Sequence, residues 1–119
     1  MDNVSYLLLV RSSPYGSARA RAAIDIALTA AAFEQAVTVV FLDEGVLQLF
    51  DGQETDIAEL KNISQMIPAL PIYDVKSLCV HLPSAEKFGL DVAGLAEITP
   101  LDDAGLTRLT REHDQVLVF

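Results

Sequence analysis

Residues Val37 to Gln53 read Val-Thr-Val-Val-Phe-Leu-Asp-Glu-Gly-Val-Leu-Gln-Leu-Phe-Asp-Gly-Gln. The first six of these, Val37 to Leu42, have almost no polar interruption. β-branched residues crowd a helix and pack well on a pleated sheet. A run this apolar has no solvent face, so it is expected to be a central parallel strand covered on both sides. Asp43, Glu44 and Gly45 then end the strand. Val46, Leu47, Leu49 and Phe50 follow where a surface loop should be polar. These four side chains need a cover, from their own chain or from another. They are the candidate interface residues. Sealing them would contribute on the order of 1.5–3 kcal/mol each before ordering costs.

The remaining segments fit around that strand. Tyr6 to Val10 is a second apolar run, read as a buried strand. Arg11 to Ser17 is a turn by composition, and Ser17 is placed to cap the next helix. That helix spans about Ala18 to Phe33. Its polar stripe is narrow, with Arg21 and Asp25 at pairing distance along one face. The rest is Ala, Ile, Leu and Phe, more apolar than packing on a sheet requires, so a second neighbour is expected. Strand, helix, strand makes a βαβ unit with a right-handed crossover.

A helix with Asp56 and Glu59 as a capping pair and Ile57, Leu60, Ile63 and Ile67 on one face should end at Pro68 and Pro71. Lys76 to Leu82 reads as a third strand. Ser84 to Phe88 is at most a short helix closed by Gly89. Ala96 to Thr99 is a candidate short strand. Thr99, Pro100 and Asp102 have the order of a helix start. Gln115 to Phe119 closes the chain as a strand. The alternation predicts a single domain over residues 1–119, an α/β fold with an open, mainly parallel sheet of about five strands flanked by helices.

Composition narrows the function. The 119 residues are 51% hydrophobic and carry 8 Lys and Arg against 17 Asp and Glu, a formal net charge of -9. So acidic a surface repels phosphate backbones, and direct nucleic-acid binding is not expected. The single cysteine allows no internal disulfide and suits a reducing compartment. Leu7 to Val10 is too short to span a membrane, and Asp2 precedes it where a signal peptide would be basic. A cytoplasmic protein with no membrane contact is expected.

Open parallel sheets place their sites beyond the carboxyl ends of the strands. Arg11 to Ser17 lacks the glycine spacing and lysine of a phosphate loop. A small-ligand site there would use Ser12, Ser13 and Ser17. Asp43 and Glu44 resemble a phospho-acceptor pair only if acids also follow the first strand, and Arg11 stands there instead. Cys79 and His81 alternate onto one face of the third strand. A thiolate beside an imidazolium could carry a persulfide. The competing reading makes Cys79 a buried packing residue. His113 reads as a helix-end residue favoured by the dipole. No residue set has metal-ligand spacing, and no cofactor is expected.

Several of these segments resemble the TusC/DsrF family. They are Pro14-Tyr15-Gly16, Phe41 to Leu49 with Gly52-Gln53, Ile72-Tyr73-Asp74, Gly89-Leu90-Asp91, and Asp114 to Phe119. The resemblance spans essentially the whole chain. The Asp-Glu-Gly-Val-x-Gln-Leu block at Asp43 to Leu49 is its most specific part. It implies a DsrE-like fold and a place beside TusD/DsrE-type and TusB/DsrH-type subunits in a heterohexameric sulfur-relay complex. Such complexes pass persulfide sulfur towards 2-thiouridine at the tRNA wobble position, or, in the DsrEFH version, serve dissimilatory sulfur oxidation. The family's persulfide cysteine belongs to the TusD/DsrE-type subunit. Cys79-Val80 mimics its setting, but the register from Gly89-Leu90-Asp91 puts His81 about where that cysteine would sit. The resemblance therefore implies a non-catalytic subunit. A carrier using Cys79 is the alternative.

Overall fold

A computed structural model describes residues 4–13, 18–50, 67–75, 77–95 and 97–119. Five strands form one sheet: β1 (Ser5–Val10), β2 (Ala36–Phe41), β3 (Ser77–His81), β4 (Ile98–Leu101) and β5 (Gln115–Val118). Their order is β4-β3-β2-β1-β5, and every pairing is parallel. The Val37–Leu42 run thus supplies the central strand, in register with Tyr6–Val10 on one side and Ser77–Val80 on the other. Its last five residues, Val37 to Phe41, are all buried.

Strand alternation gives the sheet two apolar faces. Leu8, Val10, Val37, Val39, Phe41, Leu78 and Val80 join the larger cluster with Ala23, Ile24, Ala27 and Ala31 of α1 (Arg19–Ala32). Alanines let α1 lie close to the strands. The smaller cluster, Leu7, Val40, Leu42 and Cys79, lies under Leu106 and Leu109 of α3 (Asp103–Glu112). A short helix, α2 (Leu82–Phe88), follows β3 directly and ends at Gly89, whose φ of 73° is the left-handed closure expected there.

Some local expectations need correction. The Ala96–Thr99 strand lies further on, at Ile98–Leu101, and Pro100 sits within it. β4 is at the edge of the sheet, where a missing N–H is tolerated. The cap of α3 is consequently Asp102, whose Oδ1 accepts from the Gly105 N–H at 2.7 Å, instead of Thr99. Pro68 does not end its helix: Ile67 to Ala69 remain helical and run into a 3-10 turn, Leu70–Tyr73. The expected capping pair Asp56 and Glu59 and the expected face residues Ile57, Leu60 and Ile63 lie outside the described residues, as does Ser17. Ala18 occupies the α1 cap position without a side-chain hydrogen bond. The third strand stops at His81, and Leu82 opens α2.

Candidate functional site

The carboxyl ends of β1, β2 and β3 converge on the turn after Leu42. Leu42 is still extended, and its N–H donates to the Val10 carbonyl at 3.0 Å. Asp43 then takes a left-handed backbone with φ of 51°. Two bonds hold it there. Its N–H donates to Ser84 Oγ at 2.9 Å, and its Oδ2 accepts from Arg11 Nε at 2.7 Å. The Arg11–Asp43 pair is about half exposed on both sides, so it is worth at most about 1 kcal/mol. Its main effect is to aim the two side chains.

Residues Asp43–Leu49 coil into a 3-10 helix that folds back over the strand ends. This turn corrects the expected interface. Val46 is fully buried and Leu49 is 6% exposed, both within the chain's own larger cluster. The 3-10 period carries i and i+3 to one side, so both point inward. Leu47 and Phe50 are only half-buried. Gln48, the glutamine of the Asp43–Leu49 block, is also buried, and its Nε2 donates to the Ser12 carbonyl at 3.0 Å. It ties the turn to the segment after β1. Its Oε1 has no partner among the described residues.

His81 stands at the end of β3, with its side chain 13% exposed. Nδ1 lies 2.6 Å from Ser84 Oγ, and Nε2 lies 2.7 Å from Asp103 Oδ1. One hydrogen-bond arrangement satisfies every group. Nε2–H donates to the Asp103 carboxylate, Ser84 O–H donates to Nδ1, and the Ser84 oxygen accepts from the Asp43 N–H. The chain of contacts resembles an acid–base–hydroxyl triad. Ser84 is 6% exposed, however, and its oxygen is engaged from both sides, so a substrate has no approach to it. The arrangement is a clamp joining β3, α2, α3 and the Asp43 turn.

Cys79 and His81 do share the α3 face of the sheet. They do not work together, because both imidazole nitrogens are taken by Ser84 and Asp103. Cys79 is 7% exposed, among Leu7, Val40 and Leu42. Burial pushes its thiol pKa up, and a hydrogen bond with the Ser77 side chain offsets this only in part. At neutral pH the sulfur is a protonated thiol, the poor nucleophile of a packing residue. His113 caps α3 as its position suggested: Nδ1–H donates to the Leu109 carbonyl at 2.7 Å, and Nε2 faces Thr38 Oγ1 at 3.0 Å.

Beyond Arg11 and Ser12 lies an open crevice of about 570 Å³, lined also by Arg19, Asp43, Glu44 and Lys87. Its mixture of cations and carboxylates makes no cradle for phosphate. Ser12 uses its N–H on the Phe119 oxygen at 3.1 Å. Among the described residues no group of three His, Cys, Asp or Glu could hold a metal ion, and no helix is long and apolar enough to cross a membrane.

The model of the DsrE/DsrF-like family matches residues 4–119. The chain belongs to the DsrE/DsrF-like family. Among curated relatives, this DsrE/DsrF-like chain is 38% identical to the "Protein TusC homolog" of Pseudomonas aeruginosa, with 97% of this chain and 98% of that protein aligned. It is 35% identical to the "Intracellular sulfur oxidation protein DsrF" of Allochromatium vinosum, over 96% and 95%. It is 31% identical to "Protein TusC" of Escherichia coli, over 91% and 92%. The crystal structure of the ychN protein from Escherichia coli superposes with a TM-score of 0.80, covering 98% of this chain and 99% of that one, at 19% identity. That likeness concerns the fold.

Proposed function

We propose that this chain is a non-catalytic, TusC/DsrF-type subunit of a cytoplasmic sulfurtransferase complex. It supports persulfide transfer by a TusD/DsrE-type partner, with a TusB/DsrH-type subunit completing a heterohexamer. Similarity to TusC and DsrF proteins over nearly the whole chain supports the subunit type. The observation that carries the non-catalytic role is the state of Cys79, the only thiol, which is buried and held protonated. A relay sulfur must meet donor and acceptor as a thiolate. Leu47 and Phe50, half-buried on the turn beside the Asp103–His81–Ser84 clamp, remain the proposed interface residues. Val46 and Leu49 are withdrawn from that role.

The acceptor pathway we propose is 2-thiolation of the tRNA wobble uridine, reached through the complex without direct RNA contact by this acidic chain. The 35% identity to a sulfur oxidation protein supports a second reading, service in dissimilatory sulfur oxidation. Deleting the gene separates them. Loss of 2-thiouridine from bulk tRNA supports the first, and loss of sulfur oxidation with intact tRNA supports the second. Co-purification with TusD/DsrE-type and TusB/DsrH-type subunits tests the role itself. A chain that stays monomeric beside both defeats it.

A further inference from the structure

We infer that β5 is a docking edge for a second copy of this chain, strand against antiparallel strand. The proposal goes beyond the subunit reading and does not depend on it. β5 (Gln115–Val118) ends the sheet on one side and pairs only with β1 among the described residues. A parallel ladder bonds alternate residues of a strand to a given neighbour. Phe119 gives β1 both its N–H, to the Leu9 carbonyl at 2.8 Å, and its oxygen, to the Arg11 N–H at 2.7 Å. Leu117 and Gln115 alternate with it and turn the same way. Val116 and Val118 therefore direct their N–H and C=O groups outward. Their side chains share the sheet face of Leu7 and Leu9, which lie beside them in register. α3 packs on the cluster around Leu7 there, yet Val116 stays 38% and Val118 59% exposed.

Exposed edges are ordinarily blunted by proline or charge. The opposite edge has both: Pro100 lies within β4, and Asp102 and Asp103 follow it. Gln115–Val118 has neither. Asp114, just before it, is engaged by Ser5 of its own sheet. With no charge on this edge to select a charged partner, self-complementarity names the occupant. Two copies running antiparallel about a two-fold axis at Leu117 set Val116 of each opposite Val118 of the other. Every outward N–H then meets an outward C=O, and the contact is isologous. The exposed valines of both copies gather on one face of a continuous sheet. A net charge of -9 on each copy opposes the contact at long range, so added salt should strengthen it.

Sedimentation of the full chain over a range of concentration and salt tests this, with circular dichroism to check that each variant folds. Val118→Lys, at an exposed position, is expected to weaken self-association about tenfold or more. Val116→Pro removes one outward N–H and should do the same. Register is read by mixing a Val116→Cys chain with a Val118→Cys chain. Directly opposed residues lie about 5.5 Å apart at Cα, within reach of a disulfide, so the mixture should cross-link faster than either chain alone. A wild-type chain that stays monomeric up to about 1 mM at high salt overturns the inference. So does a dimer that Val118→Lys leaves unchanged, or an edge at which Val118→Lys weakens only the binding of a TusD/DsrE-type or TusB/DsrH-type subunit. Each of these outcomes leaves the subunit role standing.

Discussion

A Cβ placed on Gly45 would lie 1.9 Å from the carbonyl oxygen of Val10. The obstruction is backbone of the neighbouring strand, which cannot swing away as a side chain would. Gly45→Ala therefore forces the Asp43–Leu49 turn off the sheet. Overpacking of this kind costs about 3 kcal/mol or more. Denaturant midpoints should fall accordingly. A Gly45→Ala protein as stable as the parent contradicts the geometry.

Ser84→Ala leaves the Asp43 N–H and His81 Nδ1 without their partner. Each orphaned group costs roughly 1–3 kcal/mol if it stays buried. Since His81→Ala breaks the same chain of contacts, the double variant should lose less than the two singles together. A double-mutant cycle in urea reads the coupling, expected on the order of 1 kcal/mol. Strict additivity would mean that the clamp is not a unit.

The Cys79 thiol should resist alkylation at neutral pH in the folded protein and react readily once unfolded. Its raised folded pKa fixes the sign of a further effect. The buried thiol contributes fully while the unfolded cysteine is also protonated. As pH rises through the ordinary thiol value of 9.0, the unfolded chain ionises first and stability falls. Cys79→Val should remove that alkaline loss. Incubation with a sulfane-sulfur donor followed by intact mass measurement should show no persulfide on Cys79. A persulfide there would favour the carrier alternative.

Ser5 and Asp114 clasp the starts of β1 and β5. Asp114 Oδ2 accepts from the Ser5 N–H at 2.9 Å and from Ser5 Oγ at 3.1 Å, and the Asp114 N–H donates back to Ser5 Oγ at 3.0 Å. The Ser5 bonds, backbone first, hold the Asp114 carboxyl below its ordinary 3.8. A depressed carboxylate contributes its stability above the unfolded value and loses it as pH falls through the folded one. Asp114→Asn should therefore lower stability at neutral pH and shrink the loss below about pH 4. Acid titration of the folded fraction measures this, and identical acid limbs would contradict it.

Val46→Ala and Leu47→Ala should part company. The first empties a fully buried site and should destabilise the isolated chain by about 1–3 kcal/mol. The second touches a half-buried residue and should leave the isolated chain nearly unchanged while weakening assembly. Melting of the chain alone, beside affinity for its partners, separates the two.

The central strand was legible because an uninterrupted β-branched run has one stable place in an α/β layer. The turn after it was half legible. Its apolar residues signalled a need for cover, but composition cannot say whose. The 3-10 period decided that Val46 and Leu49 face home. The Thr99-Pro100 order mimicked a helix start because a proline on an edge strand and a proline at a first helical turn look alike in one dimension. Ser84 and Asp103 were missed as partners of His81. They lie 3 and 22 residues from it, and only the folded packing of α2 and α3 brings both to the ring. The alternation placing Cys79 and His81 on one face was readable. The inert setting of the thiol came from neighbours on other strands.

The Ser5–Asp114 clasp joins residues 109 apart in sequence. β1 is made before β5, so its outer edge stays unpaired until β5 has been synthesised and docks. Until then a greasy nascent ribbon stands open, and closing it is an entropically late event. Trimming Gln115 to Phe119 would leave that ribbon bare for good, which makes these few residues the latch on the whole β-layer.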